Sequence, residues 1–261
     1  MAKRRHIWNA SIFEKYLREG RGCGNGSSYR PWISVQDFAS RGVASRVKGM
    51  TTGRVHHLMS NHELAFFYIL DWSDEVTDIR EQYPLFDLES AVRIAAQAGI
   101  KYPTNNVSGY PYVLTCDFMI TTTTGVKART IKTASELSNP RVLEKLEVER
   151  RYWLEQGIDW KIITEREILY QKAKNIEWIY TAFHADTASV STHDMKQAQN
   201  TMLQLLMNNE YSVIEASQIV ESEFCFARGF GLYLFKQLLL NKTIAVNLNE
   251  PLNLNAKGIA A

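Results

Sequence analysis

Three side chains that are far apart along the chain have the types that phosphodiester hydrolysis requires. Glu63 and Asp117 supply carboxylates, and Lys132 supplies an ammonium group. Carboxylate oxygens suit Mg²⁺, which keeps several of its waters when it is bound. A bound metal polarises a phosphoryl oxygen and activates a water, and a lysine beside it can orient that water or neutralise developing charge. If the fold brings the three together, we expect a nuclease that depends on Mg²⁺, with Mn²⁺ able to substitute.

A β-hairpin predicted over residues 112–133, with its turn at 122–125, positions two of the three residues. In the register that this turn favours, Asp117 falls opposite Thr130. Lys132 then lies one diagonal step from Asp117, which is within reach of a long side chain. The hairpin therefore predicts that the carboxylate and the ammonium group converge.

The faces of the hairpin follow from the alternation of side chains along a strand. Asp117 and Met119 are expected on one face, and Cys116 on the other. The backbone carbonyl of Ile131, on the return strand, is expected to join Glu63 and Asp117 as a metal ligand.

Each of the three residues also has a purely structural explanation. Ser60 and Glu63 have the spacing of a capping box at a helix start. Asp117 could form a simple ion pair with Lys132 or Arg129, because a buried carboxylate requires a partner. Lys132 could serve only to protect a sheet edge.

Positive charge is concentrated at the start of the chain. Residues 1–60 hold eleven Lys and Arg against three Asp and Glu, whereas residues 182–261 hold five against seven. A basic segment on a nearly neutral chain predicts a polyanionic partner at one end. The preferred contacts to the DNA backbone are Arg41, Arg46, Lys48 and Arg54, with His57 as a further candidate that could equally be scaffold.

With a short helical piece at 89–98 set aside, the predicted elements from residue 60 to residue 164 follow the order helix, strand, strand, strand, helix, strand. Extended chain at 76–88 is expected to break near Glu81, and residues 41–54 are expected to form a loop. Apart from the short helix, this is the order of a restriction-endonuclease-like core, so the fold class is α/β with a mixed sheet.

The C-terminal part is predicted to be a separate helical domain. Residues 1–182 form the basic segment and the catalytic domain, 183–192 a linker, and 193–261 three short helices with a β-like tail at 243–254. Three helices and a hairpin are typical of a winged helix. Its third helix carries only Arg228 and Lys236, so we expect it to bind protein rather than DNA.

Several functional classes are not indicated. Cys23, Cys116 and Cys225 show no zinc-binding or disulfide spacing, which fits a reducing compartment. No apolar run is long enough to span a bilayer. The first residues lack a signal-peptide core, so a cytoplasmic protein without a membrane partner is expected.

Three segments resemble the TnsA family, the endonuclease subunits of heteromeric cut-and-paste bacterial transposons. They are 52–65 (TGRVHHLMSNHELA), 78–85 (DIREQYPL) and 143–153 (LEKLEVERRYW). The resemblance implies a restriction-endonuclease-like domain that cuts the 5′ strands at transposon ends, with Glu63, Asp117 and Lys132 at the catalytic positions. It also implies two partners, a TnsB-like DDE transposase and a TnsC-like AAA+ regulator that contacts the C-terminal domain.

One position departs from the family pattern. The family usually has Gln two residues before the lysine, and this chain has Thr130. A hydroxyl is a poorer metal ligand than a carboxylate, so the sequence leaves open whether the site holds one metal ion or two. Thr130 and Glu149 are candidates to contact the metal's ligands; Glu149, with Glu144 and Glu147, could instead form a solvated helix face.

Two other functions remain open. One is a non-catalytic DNA-binding adaptor of a transposition complex, and the other is a restriction or junction-resolving nuclease of the same fold.

Overall fold

The computed structural model describes residues 7–37, 43–183 and 190–258. Its contacts divide the chain into two compact units, Met1–Ile168 and Leu169–Ala261. The helix Tyr170–Tyr180 therefore belongs to the second unit, although the sequence placed it in the catalytic domain that was predicted to end at 182. Most of the predicted linker, residues 184–189, lies outside the described residues.

The first unit alternates helices and strands as an α/β protein does. In chain order its elements are α1 (Ala10–Arg18), β1 (Ser45–Lys48), β2 (Val55–Leu58), α2 (Asn61–Asp71), β3 (Val76–Pro84), α3 (Leu88–Gln97), β4 (Thr115–Thr122), β5 (Gly125–Ile131), α4 (Pro140–Glu155) and β6 (Asp159–Ile163). The four later strands form one sheet in the order β3-β4-β5-β6. The β3–β4 and β4–β5 pairs are antiparallel, and β5–β6 is parallel. The predicted mixed sheet is confirmed.

The hairpin of β4 and β5 has the predicted register. Thr122 pairs with Gly125, and Phe118 pairs with Arg129. Gly125 has a φ of +139°, a conformation that glycine adopts without strain. The tight turn fixes the register, and the register in turn decides which residues of β5 lie near Asp117.

Helices cover the sheet and supply the core. A cluster of buried side chains joins β4 and β5 to α3 and α4, and includes Cys116, Met119, Ile94, Val148 and Trp153. Helix α4 begins at Pro140, whose missing N–H is not needed at a first helical position. It is followed by Gly157 in the left-handed conformation, with a φ of +68°.

Two local predictions in the first unit are wrong. Residues 41–54 were expected to form a loop, but Ser45–Lys48 forms β1 and pairs with β2. The sheet was expected to break near Glu81, but β3 is continuous there and Glu81 pairs with Phe118. Both segments are rich in charged residues, and their composition does not reveal the buried partners that hold them in strands.

In its described residues the second unit contains four helices, α5 (Tyr170–Tyr180), α6 (Thr192–Met207), α7 (Val213–Glu223) and α8 (Phe230–Leu240). The predicted β-like tail forms no strand within residues 241–258, where Lys257 makes only an isolated bridge to Ser212. Asn175 donates to the carbonyls of Leu248 and Glu250, at 2.8 and 2.7 Å, and so holds the tail by side-chain contacts. The wing that a winged helix requires is therefore missing from the described residues, and that part of the predicted fold class is not confirmed.

The three cysteines lie in different surroundings. Cys23 in the first unit and Cys225 in the second are exposed, whereas Cys116 is fully buried on β4. Burial raises the pKa of the Cys116 thiol well above its usual range. Among the described residues, none of the helices has both the length and the apolar character that a bilayer crossing demands.

Candidate active site

Asp117 and Lys132 meet at the end of the hairpin, as the diagonal in the register predicts. Lys132 Nζ lies 3.5 Å from Asp117 Oδ2. The same ammonium group donates to the carbonyl of Ile131 at 2.7 Å. The N–H of Ile131 donates to Asp117 Oδ2 at 2.7 Å. A carboxylate, a backbone carbonyl and a cation therefore share one corner of the sheet.

Glu63 reaches this corner from the first turn of α2. Ser60 caps the helix by accepting from the Glu63 N–H at 3.1 Å. The Glu63 carboxylate accepts from Ser60 Oγ at 3.0 Å and from the Met59 N–H at 2.9 Å. The capping contact and the position near Asp117 are both present, so the structural explanation of Glu63 does not exclude the chemical one.

Gln82 lies between the two acids and was not among the predicted site residues. Its Nε2 is 3.4 Å from Glu63 Oε2 and 3.4 Å from Asp117 Oδ1. Its Oε1 accepts from Thr115 Oγ1 at 3.2 Å. Gln82 is one of several polar residues in β3 and is 35 residues from Asp117, so no local pattern singles it out. We name the group formed by Glu63, Gln82, Asp117, Ile131 and Lys132 the acidic site.

The contacts of β4 differ in part from the predicted faces of the hairpin. Asp117 and Met119 were expected on one face and Cys116 on the other, but Cys116 and Met119 belong to the same core cluster. Asp117 shares Gln82 with Glu63 of α2, and Phe118 packs against Phe66 of α2 with ring centroids 5.7 Å apart. Cys116 and Met119 therefore share one core cluster, although β4 keeps a single register with β3 from Thr115 to Thr121.

Negative charge in the acidic site is incompletely balanced. Burial, and then the neighbouring charge of Asp117, raise the pKa of Glu63 to about 8. Burial alone would lower the pKa of Lys132, but Asp117 and Glu149 outweigh it and the pKa is raised. Two close carboxylates with one ammonium group favour either a proton or an added cation.

The residues present fit a hard divalent cation. Among the described residues, no group of three or more His, Cys, Asp and Glu side chains is placed to hold a metal. Mg²⁺, however, commonly uses one or two carboxylates and fills its remaining positions with water or carbonyl oxygens. Glu63, Asp117 and the Ile131 carbonyl form such a set, and the raised pKa of Glu63 marks the charge that a cation would neutralise.

Thr130 and Glu149 form a buried pair behind the hairpin. Thr130 Oγ1 donates to Glu149 Oε1 in a short hydrogen bond, and Trp160 Nε1 donates to the same oxygen at 2.9 Å. Burial raises the pKa of Glu149 to about 7. Glu149 is therefore not on the solvated face of α4, whereas Glu144 and Glu147 pair there with Arg141, Arg150 and Arg151. The Thr130 hydroxyl therefore donates its hydrogen bond to Glu149.

Arg129 is not the partner of Asp117. Its guanidinium pairs with Asp159 on the neighbouring strand β6, at 2.7 Å, and also donates to the Asp159 carbonyl at 2.7 Å. Of the two ion pairs that the sequence left open for Asp117, the structure contains the one with Lys132.

The predicted DNA contacts divide into exposed and buried residues. Arg46 and Lys48 are exposed on one face of β1. His57, on β2, is half-buried, and its Nδ1 accepts from the Val35 N–H at 3.3 Å. Burial lowers the pKa of His57, so at neutral pH its ring carries little positive charge for a phosphate. Arg41 lies outside the described residues.

Arg54 is buried instead of facing solvent, which corrects the expectation that it contacts DNA. Its side chain is 8% exposed, and its guanidinium forms a bidentate ion pair with the Glu81 carboxylate. His56 Nδ1 lies 2.8 Å from the same carboxylate, and His56 Nε2 lies 2.7 Å from Thr52 Oγ1. Burial tends to raise the pKa of Glu81, but hydrogen bonds from Arg54 and His56 outweigh burial and lower it to about 2. We name Thr52, Arg54, His56 and Glu81 the Glu81 cluster.

Two family models match this chain and divide it close to the boundary between its units. Residues 73–165 match the model described as "TnsA-like endonuclease N terminal", and residues 167–248 match "TnsA endonuclease C terminal". The α/β unit that carries the acidic site thus belongs to the class of endonucleases.

The comparison with curated proteins narrows that class. Over 258 residues the chain is 35% identical to "Transposon Tn7 transposition protein TnsA" of Escherichia coli, covering 98% of this chain and 92% of the relative. The chain belongs to the TnsA endonuclease family.

Proposed function

We propose that this endonuclease acts in DNA transposition and cuts the 5′, non-transferred strands at the ends of a transposon. The observation that carries the proposal is the convergence of Glu63, Asp117 and Lys132. The first two share the Gln82 amide, and the third lies 3.5 Å from Asp117. Membership of the TnsA family and the name of the relative support the transposition context.

The activity is proposed to depend on Mg²⁺, with Mn²⁺ as a substitute. Glu63, Asp117 and the Ile131 carbonyl would hold the ion. When bound, it would polarise the scissile phosphate and lower the pKa of an attacking water. The chemistry of the donor set supports this assignment, because all three ligands offer oxygen atoms.

The protein's own groups have distinct parts in the proposed reaction. The Lys132 ammonium group neutralises negative charge that develops on the phosphate oxygens. Its raised pKa keeps it protonated at neutral pH. The Ile131 N–H fixes one oxygen of Asp117, and the Met59 N–H fixes one oxygen of Glu63, so the two acids have little rotational freedom.

DNA would be held without reading its sequence. Arg46 and Lys48 on β1 are the proposed phosphate contacts, and contacts of this kind position DNA but do not specify bases. We propose that a TnsB-like DDE transposase recognises the transposon ends. A TnsC-like AAA+ regulator is proposed to bind the second unit.

Strand mapping tests the proposal. The protein would be mixed with its transposase, its regulator, transposon-end DNA and Mg²⁺, and cuts on both strands would be mapped. A 5′-strand cut should be present with the wild type and with the exposed-acid control Glu89→Ala, and absent with Asp117→Ala. A cut that persists in Asp117→Ala would refute the assigned chemistry.

Glu63→Gln separates the two roles of Glu63. Glutamine can still accept from Met59 and Ser60 at the helix start, but it loses the anionic charge. We expect the melting temperature to be kept and the cut to be lost. Full cleavage by this variant would leave Glu63 with its capping role alone.

A non-catalytic adaptor is the second candidate, because the acidic site has only two carboxylates among its members and Thr130 is occupied by Glu149. An adaptor would leave the mapped cuts unchanged in both Asp117→Ala and Glu63→Gln. The same experiment therefore decides between the two functions.

A further inference from the structure

We propose that Gln82 is a positioning residue: its side-chain amide bridges Glu63 and Asp117 and holds the two carboxylates in the arrangement that receives a divalent cation. This inference rests on the proposed metal-dependent function. It assigns to Gln82 no contact with the metal or the substrate.

The hydrogen-bond geometry of the amide carries the first part of the inference. An amide nitrogen has two hydrogens, and Gln82 Nε2 faces one oxygen of each acid at 3.4 Å. Both distances lie near the long end of the hydrogen-bond range. Ser60, Met59 and Ile131 each contact one acid, whereas Gln82 contacts both.

The orientation of the amide is determined by its other end. Thr115 Oγ1 donates to Gln82 Oε1 at 3.2 Å. The reversed amide would direct its carbonyl oxygen at the Asp117 carboxylate, which is ion-paired with Lys132 and offers no hydrogen. The nitrogen is therefore the atom that must face Glu63 and Asp117.

The backbone of Gln82 carries the second part. Its φ is +49°, in the left-handed region that residues other than glycine rarely adopt. The strand is regular on either side, because Glu81 pairs with Phe118 and Tyr83 pairs with Cys116. The Gln82 carbonyl accepts from the Trp32 N–H at 3.3 Å. Strained residues persist where surrounding contacts determine them, and such residues are concentrated at functional sites.

Burial explains why the spacing of the two acids requires a bridge. Glu63, Gln82 and Asp117 are 6%, 5% and 9% exposed. Water has little access to separate the like charges or to hydrogen-bond them, so a protein donor must do so. The same donor would hold the two carboxylates in place when a cation binds them.

Metal binding by the full-length chain tests the inference without DNA. Mn²⁺ would be titrated calorimetrically into the wild type, Gln82→Met and Gln97→Met. Gln82→Met keeps the length of the side chain but removes its donors, and the dissociation constant should rise about tenfold, as for other residues that orient ligands. Gln97 is exposed at the end of α3 and accepts from Arg93, so its variant should match the wild type.

The cleavage assay gives a second reading. In Gln82→Met, the Mg²⁺ concentration for half-maximal cutting should rise by a similar factor. A merely structural defect would lower the folded fraction, measured by circular dichroism, but would leave the metal constant unchanged. A folded Gln82→Met protein with the wild-type Mn²⁺ constant would overturn the inference.

Thr115→Val provides an independent variant if Gln82→Met does not fold. It leaves Gln82 in place but removes the hydroxyl that orients the amide, so we expect about threefold weaker Mn²⁺ binding. An unchanged constant in that variant would also overturn the inference. If the wild type fails to bind Mn²⁺ at all, the proposed metal-dependent function itself is refuted, which is a distinguishable result.

Discussion

Adjacent residues of β3 belong to two buried polar groups with opposite electrostatics. Glu81 belongs to the Glu81 cluster, where Arg54 and His56 lower its pKa to about 2. Gln82 belongs to the acidic site, where burial and Asp117 raise the pKa of Glu63 to about 8. The first group satisfies its own charge, whereas the second has one ammonium group for two carboxylates, so Glu63 keeps its proton up to about pH 8.

The difference shows that burial alone does not distinguish a carboxylate with a structural role from one with a functional role. Glu63, Glu81 and Asp117 are all buried. A self-compensated carboxylate stabilises the fold, whereas an under-compensated one raises the folding free energy and is retained where a ligand completes it. This contrast supports the proposed function of the acidic site and a structural role for the Glu81 cluster.

Removing one charge from the acidic site should produce the largest effect. Asp117→Asn keeps the shape of the side chain but removes a proposed metal ligand. Cleavage should fall by more than about 100-fold, because losing a metal ligand should cost more than losing a residue that only orients one. The free energy of unfolding should change by less than about 1 kcal/mol, because the substitution also relieves repulsion with Glu63. Single-turnover cleavage and urea denaturation would measure the two quantities, and a large loss of stability with cleavage retained would reverse the comparison.

The matching change in the Glu81 cluster should act on stability. Glu81→Gln leaves the Arg54 guanidinium buried beside a neutral amide, which should lower the free energy of unfolding by about 3 kcal/mol. Glu147→Gln, on the surface of α4, is the control and should cost less than about 1 kcal/mol. Metal binding by the folded Glu81→Gln protein should remain close to wild type, and a shift as large as that of Gln82→Met would show that the groups are not separate.

Lowering the pH should remove the contribution of Glu81 to the free energy of unfolding. Because the folded-state pKa of Glu81 is about 2 and the ordinary value is 4.5, the unfolded chain binds more protons between these values. The contribution of Glu81 is complete above pH 4.5 and is lost as the pH falls toward 2. The free energy of unfolding should therefore fall less steeply with acid in Glu81→Gln than in the wild type. Parallel pH profiles from urea denaturation would contradict this expectation.

The smallest effect is expected for Arg46 and Lys48, which are the exposed cations next to the buried Arg54. Arg46→Ala with Lys48→Ala should leave stability almost unchanged but reduce the slope of log affinity against log salt by about 0.9 for each lost phosphate contact. Lys101→Ala with Lys145→Ala, exposed elsewhere in the first unit, is the control. Equal slopes for the two double variants would remove β1 from the DNA interface.

Sequence alone predicted the parts of the site that depend on local geometry. The short turn at 122–125 fixes the register of β4 and β5, so the meeting of Asp117 and Lys132 could be predicted from spacing. The position of Glu63 followed from its capping pattern and from the family resemblance. These predictions required no knowledge of distant packing.

Other features depend on partners that are remote in sequence. Arg54 has the charge of a DNA contact, and only the fold reveals Glu81 at a separation of 27 residues. Gln82 acts through an unusual φ that no propensity scale favours for glutamine. The alternating tail at 243–254 has the pattern of a strand, but the Asn175 side chain binds two of its carbonyls and no ladder forms within the described residues.

The distribution of thiols gives the molecule a natural pair of labelling points. Cys23 and Cys225 are exposed, one in each unit, while the thiol of Cys116 is sealed inside the core. Maleimide dyes should therefore modify two positions and leave the neighbour of Asp117 untouched. Energy transfer between those dyes would follow the separation of the two units when DNA or a partner protein is added, without any engineered cysteine.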